Sequence, residues 1–198
     1  MNDRILNLMD VCRNGSRALG PGLRYIIWTQ GCPFHCKGCI SPESRPVIKR
    51  NMVDVDLMAT DIINRPQVEG ITISGGEPML QASSLIRLLK LVKQQRPELT
   101  VIIFTGYKIE ALKSQEHQTL LAMTDVLIDG PFEQKDVAHR GLRGSKNQRI
   151  HFLTDKLLSH HEELENGERR LETLITDGAL VTIGIPNEDQ LQTLQKNY

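Results

Sequence analysis

The segment Gly31–Ser44, GCPFHCKGCISPES, sets Cys32, Cys36 and Cys39 in a C-x3-C-x2-C spacing. Three thiols within eight residues can converge on one metal centre if the loop wraps around it. Thiolate is the usual ligand of iron–sulfur clusters, which are normally held by four cysteines. Three ligands from one loop hold three corners of a four-iron cube and leave the fourth iron open, much as a catalytic zinc keeps an open position. A disulfide within the set leaves an odd cysteine and joins residues poorly placed for one another. Zinc with His35 as a fourth ligand is the other alternative. His35 abuts Cys36, however, and structural zinc sites usually split their ligands into two separated pairs. The spacing therefore favours an iron–sulfur centre over zinc.

The surrounding chain has 198 residues, enough for one domain with a substantial core. Hydrophobic residues are 39% and charged residues 24%, a globular rather than disordered composition. Lys plus Arg and Asp plus Glu are both 24, and a net charge of zero argues against a large nucleic-acid-binding face. Apolar runs are short, as at Val101–Phe104, so no membrane span is expected. The N-terminus, MNDRILNLMD, has no signal-peptide apolar region. Three of the four cysteines are clustered, which suits a reducing cytoplasm. The fourth, Cys12, reads as a small core thiol.

Strands are expected at Arg4–Val11, Leu23–Thr29, Gly70–Ser74, Thr100–Phe104, Asp125–Asp129 and Ile150–Leu153. Asn14–Arg24 reads as a loop. Helices are expected at Val53–Arg65, Gln81–Arg96 and Ile109–Ala122; the second places Leu85, Leu88, Leu89 and Val92 on one face. Pro131–Arg149 is polar and irregular, a length that marks a functional loop. Asp155–Glu165 reads as helical or disordered. Arg170–Ile175 and Ala179–Ile185 flank Asp177-Gly178 as a hairpin, and the polar tail after Pro186 is expected to fray. Alternating strands and helices predict an α/β fold with a parallel sheet. A complete eight-unit barrel needs about 250 residues, so a partial (β/α) barrel is expected. Residues 1–153 form its core and residues 154–198 a C-terminal extension of the same domain.

The next signal is SGGEP, Ser74–Pro78, at a strand end. A glycine pair lets backbone approach a ligand closely, and Glu77 could face an ammonium group or cap the following helix. An isolated Gly-Gly reads as a turn. At a strand end some 35 residues beyond the last clustered cysteine, it reads as a site.

Together these motifs resemble those of the radical S-adenosylmethionine enzymes. GPGLR at Gly20–Arg24, ISGGEP at Ile73–Pro78, FTGYK at Phe104–Lys108, DVLIDGPF at Asp125–Phe132 and RGSKNQ at Arg143–Gln148 follow in order. They narrow the resemblance to the activating proteins of glycyl radical enzymes, most closely the group that serves anaerobic ribonucleotide reductases. The resemblance implies that Cys32, Cys36 and Cys39 bind a 4Fe-4S cluster whose open iron takes S-adenosyl-L-methionine. It implies that Gly38 and Ile40 lie near the adenine, and that Ser74, Gly75, Gly76 and Glu77 face the methionine end. Thr105 and Tyr107 become candidates for the same pocket, with a turn and a packed aromatic as the alternative. Asp129 would contact the ribose or the ammonium, or else simply form a turn before Gly-Pro. Arg143 would pair with the cofactor carboxylate or the substrate backbone, or else stand as a surface charge, as Lys146 and Arg149 are expected to do.

The implied chemistry is reductive cleavage to a 5′-deoxyadenosyl radical, which takes hydrogen from a backbone glycine of a partner glycyl radical enzyme. A flavodoxin-like or ferredoxin-like protein would supply the electron. Two alternatives remain: a peptide or small-molecule substrate, and a cluster-binding regulatory protein without turnover. The lack of a second cysteine cluster argues against the auxiliary sites of many peptide-modifying relatives. Two features depart from the pattern: Gly38 stands where many members carry an aromatic residue, and the chain from about Asp155 extends beyond the small reductase activators.

Overall fold

The computed structural model describes residues 3–176, 179–187 and 190. Seven strands form one sheet: β1 (Ile5–Ser16), β2 (Arg24–Thr29), β3 (Asn51–Asp54), β4 (Gly70–Gly75), β5 (Thr100–Phe104), β6 (Val126–Asp129) and β7 (Arg149–Phe152). Their spatial order is β3-β1-β2-β4-β5-β6-β7. The central pairs β2–β4, β4–β5 and β5–β6 are parallel. The flanking pairs β1–β3, β1–β2 and β6–β7 are antiparallel. The sheet is thus mixed rather than parallel throughout. Between β1 and β2 there is no helix to carry a crossover, so the chain turns back on itself, as antiparallel neighbours allow.

The helices are α1 (Val55–Ile63), α2 (Ala82–Gln95), α3 (Gln115–Leu121) and α4 (His161–Asn166). Strand alternation sends Tyr25, Ile27, Ile71, Ile73, Val101, Ile103 and Leu127 to one face. There they meet Leu85, Leu88, Leu89 and Val92 of α2 in a continuous buried core. The opposite residues, Ile102, Val126 and Ile128, pack against Leu142, Leu157 and Leu164. Ile26 packs with Cys12, Ala18, Leu19 and Ile183. Cys12 is the buried core thiol its setting suggested. The C-terminal part of the chain therefore covers much of the sheet face that the long helices leave open. Within it, β8 (Leu171–Thr176) and β9 (Ala179–Gly184) pair antiparallel as a separate two-stranded sheet. The Asp177-Gly178 turn expected between them lies outside the described residues, as do residues 188–189 and 191–198 of the polar tail.

Several boundaries differ from expectation for identifiable reasons. Strand β1 continues through the expected loop to Ser16, with two irregularities in its register against β2. Strand β3 occupies the start of the expected helix. Its last residue, Asp54, caps α1 by accepting from the Asp56 and Leu57 amides. The expected helix Ile109–Ala122 is broken, because Ser114 caps α3 through the His117 amide. Asp155–Glu165 is ordered as a 3-10 turn, Asp155–His160, followed by α4.

Arg24, from the GPGLR motif, is fully buried near the start of the central strands. Its Nε donates to Thr72 Oγ1 at 2.6 Å. Nη1 donates to Pro21 O and Thr100 Oγ1, and Nη2 to Ile71 O and Thr100 O. All five guanidinium donors are satisfied, which a buried cation requires. Burial still pushes its pKa down to about 9.

Candidate metal centre and cofactor site

Strands β2 and β4 run in register, with Thr29 opposite Gly75. The loops that leave the C-terminal ends of β2, β4, β5 and β6 therefore meet at one edge of the sheet. The cysteine loop is closed at its root. Gly31 N donates to Ser44 O at 2.7 Å and Cys32 N to Arg45 O at 3.0 Å. Buried Gln30 bridges the same neck, its Nε2 reaching Pro46 O at 2.7 Å and Glu43 O at 3.2 Å.

That root sits on the Gly75-Gly76 pair. Gly76 N donates to Thr29 O and Glu77 N to Gly31 O, each at 2.8 Å. Gly75 has φ +96°, and a Cβ there would lie 2.6 Å from Thr29 N. A Cβ on Gly76 would overlap the Gly31 carbonyl. Both glycines are needed because one backbone lies directly on another.

Glu77 turns inward. Its Oε1 accepts from Met79 N at 3.0 Å and Thr105 Oγ1 at 2.8 Å, and its Oε2 from Gly106 N at 2.8 Å. Of the two roles open to it, the structure shows the cap. Burial pushes its carboxyl up to about 7, against the opposing effect of those three hydrogen bonds. The carboxyl thus ties the loop after β4 to the loop after β5. Gly106 in turn lies under the Phe34 ring, which meets Tyr107 edge-on with centroids 4.9 Å apart. Tyr107 is thus packed against Phe34 of the cysteine loop.

Cys32, Cys36 and Cys39 are free thiols, each partly exposed. Cys39 N donates to Cys36 O at 3.3 Å, with Gly38 at φ +74° between them. Burial raises the thiol pKa of Cys32 and Cys39 above the ordinary value. Among the described residues, no three His, Cys, Asp or Glu side chains converge on one metal ion. A four-iron cluster takes one sulfur per iron, so its ligands need not meet at a point. Three unbonded, accessible thiols on one closed loop fit such a group.

The remaining candidates are arranged differently. Gly38 is exposed, and a Cβ there would lie 3.1 Å from Gln134 of the stretch after β6. Ile40 is 54% exposed. Ser74 is the penultimate residue of β4, and its carbonyl accepts from Thr29 Oγ1 at 3.1 Å. Asp129, at the end of β6, is held by several hydrogen bonds. It is buried, accepting from Ile109 N at 2.7 Å and from Arg149 Nη2 at 2.6 Å. Burial raises its pKa, but the Arg149 and Ile109 hydrogen bonds bring it below the usual carboxylate range. Arg143 is paired with Glu165 of α4, Nη2 to Oε2 at 2.9 Å, rather than standing alone.

Sequence reasoning passed over Gln30 and Phe34; it placed Arg149 at the surface, where the structure has it, exposed but ion-paired. Arg149 also grips Glu110 with both Nη atoms, at 2.7 Å each, holding the far end of the loop after β5. The RGSKNQ motif has a similar bracing role. Asn147 Nδ2 donates to Pro131 O and Gln148 Nε2 to Gly130 O, each at 2.8 Å. The signal for the last two was the motif itself; Gln30 and Phe34 carry none outside the folded chain.

A mixed α/β sheet bearing three clustered, unbonded cysteines at the end of a parallel strand defines a protein of the iron–sulfur class. The pattern of the 4Fe-4S single cluster domain family matches residues 18–151. The anaerobic ribonucleoside-triphosphate reductase-activating protein of Haemophilus influenzae is 36% identical over 140 residues, covering 67% of this chain and 89% of that protein. The protein of the same name from Vibrio cholerae is 35% identical over 147 residues, covering 68% and 91%. The chain belongs to the 4Fe-4S single cluster domain family, in the group of anaerobic ribonucleoside-triphosphate reductase-activating proteins. Among solved structures, QueE from Escherichia coli is similar over 52% of each chain, at 17% identity and a TM-score of 0.38, too slight a likeness to speak to function.

Proposed function

We propose that this protein is a radical S-adenosylmethionine activase whose substrate is a backbone glycine of an anaerobic ribonucleotide reductase. The observation that carries the reading is the seating of the cysteine loop on Gly75-Gly76 by direct backbone contact. It brings three thiols and the partly exposed backbone of a glycine pair to one edge of the sheet. Family membership and the names of the relatives support it. A four-iron cluster held by Cys32, Cys36 and Cys39 would supply one-electron reduction of S-adenosyl-L-methionine, the chemistry needed to take hydrogen from the partner's glycine.

The chain's own residues do the rest. Cys32, Cys36 and Cys39 hold the cluster. Ser74, Gly75 and Gly76 offer backbone donors and acceptors to the methionine end. Glu77 fixes Thr105 and Gly106 rather than touching the cofactor. Phe34 and Tyr107 form an aromatic wall that keeps water from one side. Gly38 and Ile40 flank the adenine, with Gly38 leaving room beside Gln134. Asp129 positions the loop after β5, and Arg143 braces the stretch before β7. Residues 1–153 act as a partial barrel and residues 154–198 as an extension with a terminal hairpin. A flavodoxin-like or ferredoxin-like protein donates the electron.

The test is electron paramagnetic resonance after anaerobic incubation of the reconstituted protein with dithionite, S-adenosyl-L-methionine and an anaerobic ribonucleotide reductase. A glycyl radical doublet on the reductase is expected. Cofactor cleavage with no doublet would point to another substrate.

A further inference from the structure

The stretch between β6 and β7, residues 130–148, is joined to the C-terminal part of the chain by a seam of backbone contacts. Gly141 N donates to Gly167 O at 2.8 Å and Leu142 N to Leu164 O at 2.9 Å. Gly141 has φ +65°, and a Cβ there would overlap the carbonyls of Leu164 and Glu165. Arg143 pairs with Glu165 across the same seam. The seam also contains Arg169. Its Nε donates to Gly141 O at 3.1 Å, its Nη2 to Arg143 O, and its Nη1 to Pro186 O at 3.4 Å. One guanidinium thus ties together the segment after α4, the segment after β9 and the stretch before β7. A planar fork of donors can hold several carbonyls at fixed angles, which an ammonium cannot. Burial lowers the pKa of Arg169, and among the described residues no carboxylate offsets that cost.

From the seam the contacts continue to the cysteine loop. Ala138 N donates to Gly144 O at 3.1 Å, and Val137 pairs with Ser145 in a single β-bridge. Buried Ser145 accepts from Glu133 N through its Oγ at 3.0 Å. The next residue, Gln134, stands against Gly38, where a Cβ would lie 3.1 Å from Gln134 Cδ. Gly38 lies between Cys36 and Cys39. Coupling between an element and a site it does not touch is carried by packed contacts and hydrogen bonds of this kind. We propose that Arg169 is a positioning residue for cofactor binding: through the stretch before β7 it fixes Gln134 beside Gly38, so that the C-terminal extension governs how firmly S-adenosyl-L-methionine is held. The inference rests on the activase reading above. The family pattern ends at residue 151, so this control lies outside the part of the chain that the pattern matches.

The experiment compares Arg169→Gln and Arg169→Lys with the unchanged protein, each loaded with its cluster. In Arg169→Gln, hydrogen exchange at the Ala138, Gly141 and Leu142 amides is expected to accelerate by about tenfold or more, with none in β4 and β5. In dithionite-driven cleavage, KM for S-adenosyl-L-methionine is expected to rise about fivefold while kcat stays within about twofold, the mark of lost binding rather than lost chemistry. Iron bound per chain is expected to be unchanged. Arg169→Lys, which keeps the charge but loses the fork, is expected to fall between the two. Gly141→Ala opens the seam from its other side and is expected to raise KM in the same way. Faster local exchange with an unchanged KM would overturn the inference and leave the extension a structural cap. So would exchange that accelerates equally in β4 and β5, or a loss of iron that parallels the rise in KM. Absence of cleavage by the unchanged protein would instead overturn the activase reading itself.

Discussion

The helix-covered face of the sheet and the edge where the cysteine loop sits are held together by different physics. On the face, α1, α2 and α3 bury aliphatic side chains against β2, β4, β5 and β6 in one continuous core. Its stability is spread over many contacts, each small, and it responds mainly to lost volume. At the edge there is little apolar burial to spread. The cysteine loop, the Gly75-Gly76 pair and the loop after β5 are joined by single hydrogen bonds and by backbone lying on backbone. The first region makes the fold tolerant; the second makes the site dependent on individual atoms. A site that must accept a bulky cofactor cannot be filled by side chains, so its loops are tied at their roots and left open at their tips.

The contrast can be broken by substitutions that should act on one region only. The largest effect is expected from Leu88→Ala in the core, which should lower stability by about 2–5 kcal/mol in urea unfolding. Iron bound per folded chain after reconstitution should not change. A loss of iron in proportion to stability would show that core and site are one cooperative unit.

Glu77 gives the next effect, through pH. Its folded pKa of about 7 lies above the ordinary 4.5. Stability from this group is therefore complete below pH 4.5 and is lost as pH rises through about 7. The size is roughly 3 kcal/mol across that window. Glu77→Gln should flatten this part of the stability–pH curve, measured by thermal or urea unfolding. Parallel curves for the two proteins would mean that the carboxyl is not held neutral by burial.

The smallest effect belongs to Gln30. Gln30→Leu removes the donors to Glu43 O and Pro46 O and should cost about 1 kcal/mol. The loss should be local. Hydrogen exchange at the Gly31 and Cys32 amides should accelerate while exchange in β4 and β5 does not. Uniform acceleration would deny the loop its separate closure.

The same contrast explains what could be read before folding. Core-forming strands such as Thr100–Phe104 and the apolar stripe of α2 are periodic patterns, and periodicity survives in a linear sequence. Strand β3 escaped because NMVD has no run of β-formers; it pairs with Ile5–Leu8 along the edge of β1 away from β2. The antiparallel edges escaped for a related reason, since strand direction depends on connections rather than on strand composition. At the site, Cys32, Cys36, Cys39 and the Ser74–Glu77 segment were legible because their spacing is set by chemistry. The inward turn of Glu77, the Phe34–Tyr107 contact and the grip of Arg149 on Asp129 and Glu110 arise from residues far apart in the chain. No local pattern encodes them.

The most direct test is anaerobic reconstitution with iron and sulfide, followed by dithionite, S-adenosyl-L-methionine and product analysis, with Cys36→Ala alongside. Iron near four per chain and 5′-deoxyadenosine that disappears in the variant are the expected results. Stable zinc with no cluster, or cofactor cleavage indifferent to Cys36, would contradict the assignment of the loop as the metal centre.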